Sequence, residues 1–376
     1  MVLKFGNTSA KPSRLGFGAM RLPCIDKNPA NIDYEKATEM IRYAIDNGVN
    51  YIDTAYVYHS EKSEEFLGYA LSDGYRDKVY LATKSPVWKA LKFEDYEIFL
   101  DTQLKRLKTD HLDMYLTHAL DKERWVQLKK LDAFKFLDSM KKSGKIKYAG
   151  FSFHDELNAF KEIVDGYDWD FCQVQHNYID RKYQAGTEGI DYAYEKGLGI
   201  VVMEPIKGGK LSKTPPDDIK NIWGSLLEDN TYSDLALRWV WNNPKVSVVL
   251  SGMNTLDQVK ANISAMKKFG INNLNEEQKK IYERVREKFL EYTKVNCSAC
   301  GYCMPCPQGV NIPGIFEIYN ESIMFNNKEA SINLYNLFYK DSGADKCVAC
   351  GACEAQCPQN IQIIDTLREV REYFGV

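Results

Sequence analysis

Eight short apolar runs, about thirty residues apart, are separated by stretches of helical period, so the 376-residue chain is predicted to be an α/β protein built on a (β/α)8, or TIM, barrel. Three observations carry this. The runs are continuously apolar rather than alternating, as in a parallel sheet covered on both faces. The intervening stretches read as helices. A barrel uses about 250 residues, which leaves room for a second, smaller, mainly helical domain, and eight of the ten cysteines fall after residue 296.

The runs are Leu15–Met20, Tyr51–Ala55, Val79–Lys84, Met114–His118, Tyr148–Ser152, Phe171–Gln175, Gly199–Glu204 and Val246–Ser251. Between the first two, Asp33 to Asn47 sets Ala37, Ile41, Ala44 and Ile45 on one face, with Gly48 as the stop. An open doubly wound sheet is the competing architecture, but no Gly-x-Gly-x-x-Gly follows the first run. Beyond the last run, Asn275 with Gln278 three residues on reads as a helix start. Ile281, Val285, Phe289 and Tyr292 then mark one amphipathic helix to about Val295. The expected domains are a barrel over 1–273, a linking helix over 274–296 and a cysteine-rich tail over 297–376.

A net charge of −3 and a pI of about 6.1 give no reason to expect nucleic acid or an anionic membrane as partner. Met1-Val-Leu-Lys-Phe-Gly-Asn has no signal-peptide core, and no apolar run approaches a membrane span, so the expected compartment is the cytoplasm. There, clustered cysteines read as metal ligands rather than disulfides. Cys24 and Cys172 stand outside the clusters and read as core thiols.

Three successive runs end in Asp53, Lys84 and His118, and Tyr58 follows the first by five residues. In a parallel barrel these ends share one face, where catalysis sits. A phenol titrates near 10, and an ammonium beside it, here Lys84, is expected to lower that value. Asp53 would keep Lys84 charged, His118 would hydrogen-bond a carbonyl oxygen, and Tyr58 would protonate it. The set Asp53-Thr54-Ala55-x-x-Tyr58, Lys84 after Leu-Ala-Thr, and His118 before Ala-Leu-Asp resembles the aldo-keto reductases over roughly residues 3 to 270.

That resemblance implies reduction of a small carbonyl, or oxidation of an alcohol, with NAD(H) or NADP(H). It implies that Ser152 and Gln173 hold the nicotinamide carboxamide. Pro205, Gly208 and Leu211 would belong to the loop over the pyrophosphate, and Gly252, Gln258 and Asn262 to the adenosine end. The chain departs from the family pattern at Phe153, where Asn is usual, at Met203, where an aromatic stacks on the nicotinamide, and at His59, which replaces a glycine. Gly252 and Gln258 lack the charge that grips a 2′-phosphate, so NADH is expected to serve at least as well as NADPH. Trp88 is expected to wall the substrate pocket. Arg21 reads either as a clamp for an anionic substrate group or as half of a structural ion pair.

The tail carries Cys297-x2-Cys300-x2-Cys303-x2-Cys306-Pro307 and Cys347-x2-Cys350-x2-Cys353-x3-Cys357-Pro358. Such triplets with a fourth Cys-Pro resemble two-cluster ferredoxins, with helices in the long spacer. The resemblance implies two [4Fe–4S] clusters, one on Cys297, Cys300, Cys303 and Cys357, the other on Cys347, Cys350, Cys353 and Cys306. Four-thiolate zinc is the alternative. From Cys297 on, nine acidic and five basic side chains give a net charge of −4, suited to a basic redox partner protein. Hydride moves two electrons and a cluster one, so a flavin, here or on a partner, would reconcile them. The competing functions are therefore a flavin-assisted reductase and an electron-transfer protein with a silent barrel.

Overall fold

The computed structural model describes residues 3–297, 303–357 and 360–376. Eight parallel strands close into a barrel in sequence order: β1 Leu15–Gly18, β2 Tyr51–Asp53, β3 Tyr80–Ser85, β4 Leu112–Leu120, β5 Ile146–Phe153, β6 Phe171–Gln175, β7 Gly199–Met203 and β8 Val248–Gly252. β8 pairs back onto β1, Leu15 with Val249 through Gly18 with Gly252. Each strand falls within three residues of its expected run at both ends, and β6 coincides with it.

Helices fill the intervals: α1 Tyr34–Asp46, α2 Ser63–Ala70, α3 Asp95–Leu107, α4 Lys122–Lys130, α5 Ala133–Ser143, α6 Leu157–Asp165, α7 Gly186–Glu195, α8 Asp217–Trp223, α9 Tyr232–Trp241 and α10 Leu256–Lys268. The local chemistry matches the pattern in α1. The Asp33 side chain accepts from the Lys36 amide at 3.2 Å, a cap worth about 1 kcal/mol, and Ala37, Met40, Ile41, Ala44 and Ile45 are buried. In α9 Thr231 and Asp234 form a reciprocal capping box. Inside the barrel Phe5, Tyr51, Met114, Leu116, Phe171 and Val201 belong to one apolar cluster. A larger one lies between strands and helices.

The chain divides into two compact units: Met1–Gly209 with Asn230–Asn275, and Lys210–Asp229 with Glu276–Val376. The first holds the barrel. The second holds α8, α11 Glu276–Glu291, α12 Ile312–Met324, α13 Lys328–Tyr339 and α14 Ile363–Phe374. The expected helix to Val295 is α11, which ends four residues earlier. Segment 210–229 joins this unit through α8. Trp223 meets the Tyr282 ring edge-on at 4.9 Å, Tyr292 donates to Asp218 at 2.9 Å, and Lys210 pairs with Glu321. A separate core of Val310, Ile312, Ile315, Phe316, Leu367 and Val370 lies beneath the tail thiols. No helix among the described residues is long and apolar enough to cross a membrane.

Candidate active site

β2, β3 and β4 bring the four candidate catalytic side chains together at the C-terminal mouth of the barrel. Lys84 is fully buried, and its Nζ donates to Asp53 Oδ1 at 2.6 Å, to the Thr54 carbonyl at 2.7 Å and to the Tyr58 hydroxyl at 3.3 Å. Asp53 Oδ2 is buried and has no hydrogen-bond partner among the described residues. Burial raises the Asp53 carboxyl, and Lys84 pulls it back. Burial opposes the Lys84 ammonium, but Asp53 and Tyr58 together hold its pKa above the usual value, so it stays charged.

The expectation that Lys84 leaves Tyr58 with a lowered pKa needs correction. Lys84 does act in that direction, but burial outweighs it and the phenol lies above its ordinary value. Tyr58 is therefore a protonated phenol at neutral pH, the form needed to give up a proton. His118 is pushed well below the usual imidazole value by burial, then by Lys84, His154 and Arg124, so it is neutral. Its ring centroid lies 6.1 Å from that of Tyr58 and 5.3 Å from that of Trp88.

A β-bulge aims this part of β4. Its register with β5 shifts between Thr117 and Leu120, and Ala119 takes φ 53°. The extra peptide is tied on both sides: Ser152 Oγ accepts the Ala119 amide at 2.7 Å, and Arg124 Nη1 donates to the Ala119 carbonyl at 2.5 Å. Neither the bulge nor Arg124 has a signature in the sequence. Arg124 sits in an ordinary first helical turn, three residues after its cap Asp121.

The candidate cofactor residues separate into groups. Gln173 Nε2 donates to Met203 Sδ at 3.5 Å, while Gln173 Oε1 is buried without a partner among the described residues. That orphan acceptor, beside a hydroxyl on Ser152 that still has a proton to give, fits a primary carboxamide. Phe153 instead turns outward and packs edge-on against Phe160 at 5.1 Å. Pro205 is buried, and the loop after it turns on left-handed backbone at Lys207, Gly208 and Gly209. Lys207 is held by Asp180 at 2.7 Å, and Gln175 and Asn177 each donate to the same carboxylate at 3.0 Å. Leu211 falls in the second unit. Asn262 Nδ2 donates to Ser251 Oγ at 3.0 Å, and Gln258 Oε1 accepts the Asn254 amide at 2.9 Å.

Arg21 lies on this side of the mouth. A methyl built on Gly252 would come within 3.3 Å of Arg21 Cγ, and one on Gly208 within 3.7 Å of Arg21 Nη2. The structure thus groups Arg21 with the candidate pyrophosphate loop rather than with His118. His59 takes φ 52° where glycine is usual, the first of three consecutive left-handed residues. Its Nε2 accepts the Leu22 amide at 3.2 Å, so Nδ1 carries the proton and donates to the Pro29 carbonyl at 2.9 Å. Cys24 Sγ lies 3.4 Å from that nitrogen. Cys172 is buried, as expected of a core thiol.

In the second unit a small hollow is lined by Cys306, Cys347, Cys350 and Cys353, with Ile312 and Leu367 among its apolar walls. Four soft sulfur donors, one from the first cysteine run and three from the second, are a donor set suited to an iron–sulfur cube. Cys297, Cys303 and Cys357 pack against the same apolar core, and Cys300 lies outside the described residues.

Residues 14–285 match the aldo/keto reductase family, and residues 296–362 match the 4Fe-4S dicluster domain. The uncharacterized oxidoreductase YrpG of Bacillus subtilis is 28% identical over 302 residues, which cover 69% of this chain and 89% of that one. L-galactose dehydrogenase of Arabidopsis thaliana is 26% identical over 280 residues, 69% of this chain and 86% of that one. Among solved structures, the holo form of aldo-keto reductase AKR11C1 from Bacillus halodurans superposes with a TM-score of 0.63 at 26% identity. It covers 76% of this chain and 96% of that one. These matches lend no support to a flavin.

Proposed function

Because this chain belongs to the aldo/keto reductase family and carries a 4Fe-4S domain, we propose that its barrel interconverts a carbonyl and an alcohol with a nicotinamide cofactor. The observation that carries this reading is the Lys84 ammonium, buried and bonded at once to Asp53 Oδ1 and the Tyr58 hydroxyl. Tyr58 gives its proton to the substrate oxygen, and the phenolate left behind is stabilised by Lys84. Asp53 keeps Lys84 charged. His118, neutral, orients the carbonyl by a hydrogen bond. Ser152 and Gln173 hold the carboxamide, Arg21 and the Gly208 loop the pyrophosphate, and Met203 packs by the ring. Bound nicotinamide supplies or accepts the hydride. In the oxidative direction the same residues act in reverse.

Replacing Tyr58 with Phe tests the assignment. Turnover should fall roughly 10²- to 10⁴-fold while nicotinamide binding stays nearly intact. Near-normal turnover would remove Tyr58 from the chemistry.

The tail is read as holding two [4Fe–4S] clusters, on Cys297, Cys300, Cys303 and Cys357 and on Cys306, Cys347, Cys350 and Cys353, that exchange single electrons with a partner protein of basic surface. The four-thiol hollow and the net charge of −4 from Cys297 onward support this reading. Anaerobically prepared protein should contain about eight iron atoms per chain. Zinc in their place would overturn the ligand assignment.

A further inference from the structure

We infer that Arg124 reads an anionic group on the substrate, so that the carbonyl compound turned over by this barrel carries a carboxylate or a phosphate. The inference rests on the carbonyl–alcohol reading of the site. Arg124 enters α4 just beyond the end of β4, on the face that holds the catalytic set. One nitrogen of its guanidinium is committed: Nη1 bonds the Ala119 carbonyl, next in the chain to His118, and pairs with Asp121 Oδ2 at 3.3 Å. Among the described residues Nε and Nη2 make no hydrogen bond, and they are not sealed in, for the side chain is 32% exposed.

The Trp88 ring joins Arg124 to the site. The guanidinium carbon lies 5.2 Å from it, and the His118 ring lies 5.3 Å from it. Two cations, Lys84 and Arg124, act on His118; Lys84 is engaged by Asp53 and Arg124 by Asp121. Tying down a carbonyl needs only one donor. A planar fork with two further donors left open is the geometry that takes a carboxylate or phosphate in two parallel bonds. Arg21, also at the mouth, lies against Gly208 and Gly252 and so faces the cofactor side.

The test compares kcat/KM for two matched pairs on the full-length protein: 4-carboxybenzaldehyde with benzaldehyde, and glyceraldehyde 3-phosphate with glyceraldehyde. The anionic member of at least one pair should be favoured, and which pair responds separates carboxylate from phosphate. In Arg124→Gln that preference should fall roughly 10- to 100-fold, mostly through KM, because a charge-assisted hydrogen bond is lost. Arg124→Lys should recover part of it. A preference that is absent, or unaltered in Arg124→Gln, overturns the inference.

A second readout needs no turnover. Titration calorimetry with benzoate and with inorganic phosphate should show binding of at least one, weakened by salt and lost in Arg124→Gln. Such binding by a protein that reduces none of the four aldehydes would sink the carbonyl–alcohol reading while leaving the anion site standing. Binding that persists in Arg124→Gln would refute the anion site.

Discussion

Lys84→Met should destabilise the barrel by about 3–5 kcal/mol, the range for breaking a buried ion pair by removing one partner. The site explains why the loss is that large. Lys84 and Asp53 side chains are 1% and 3% exposed, and Lys84 Nζ is the partner of Asp53 Oδ1, the Thr54 carbonyl and the Tyr58 hydroxyl. Asp53 Oδ2 has no partner among the described residues to begin with. Without the ammonium the buried carboxylate must take up a proton. At pH 7 that costs about 1.4 kcal/mol for each unit above its ordinary value near 4, or about 4 kcal/mol. The deficit should therefore shrink as the pH falls toward 4, where protonation is free. Asp53→Asn in the same chain should recover about 2 kcal/mol or more, since it removes the charge. Urea unfolding followed by tryptophan fluorescence at pH 5 and 8 gives all these quantities. A loss below about 1 kcal/mol, equal at both pH values and untouched by Asp53→Asn, would show that the pair is solvated and the catalytic geometry mistaken.

Other expectations follow from single groups. His176 is pushed down to about 4 by burial and then by Arg181, so the unfolded chain binds a proton that the folded one refuses. Its contribution to stability is complete above pH 6.5 and declines as the pH falls through the window to 4. His176→Phe should remove about 2 kcal/mol of the loss between pH 7 and 5. His59→Ala should cost about 2 kcal/mol, because it leaves the Leu22 amide without its acceptor. His59→Gly should cost about 1 kcal/mol less than His59→Ala, since glycine takes φ 52° without penalty. With Gly252 and Gln258 uncharged, kcat/KM for NADH should equal or exceed that for NADPH, and a strong preference for NADPH would refute the assignment of those positions.

The barrel is legible because its signals are local and repeated. Each strand is a short apolar run, and α1 announces itself with Asp33 and a face of buried residues. The Asp53, Tyr58, Lys84 and His118 grouping is legible because strand ends share a face whatever the details of packing. What the sequence hides depends on distance and burial. Spacing predicts that Lys84 meets Tyr58, but only the burial of the phenol shows that desolvation outweighs the ammonium. The β4 bulge adds a left-handed Ala119, for which alanine gives no hint. Arg21 and Arg124 are both cations near strand ends. Nothing in the sequence says that the first lies along Gly252 and the second beside Trp88. Segment 210–229 joins the tail's unit through the Trp223–Tyr282 contact, which spans 59 residues of sequence.

The central claim is that hydride passes directly between nicotinamide and a carbonyl carbon beside Tyr58. Nicotinamide deuterated at the transferring carbon, supplied with an aldehyde substrate in ordinary water, tests it most directly. Proton and deuterium magnetic resonance of the alcohol product should find one deuterium on the carbinol carbon. A product whose carbinol hydrogen comes from water, with the label lost from the cofactor to solvent, would mean that electrons and protons travel separately through another carrier, and would contradict the direct transfer.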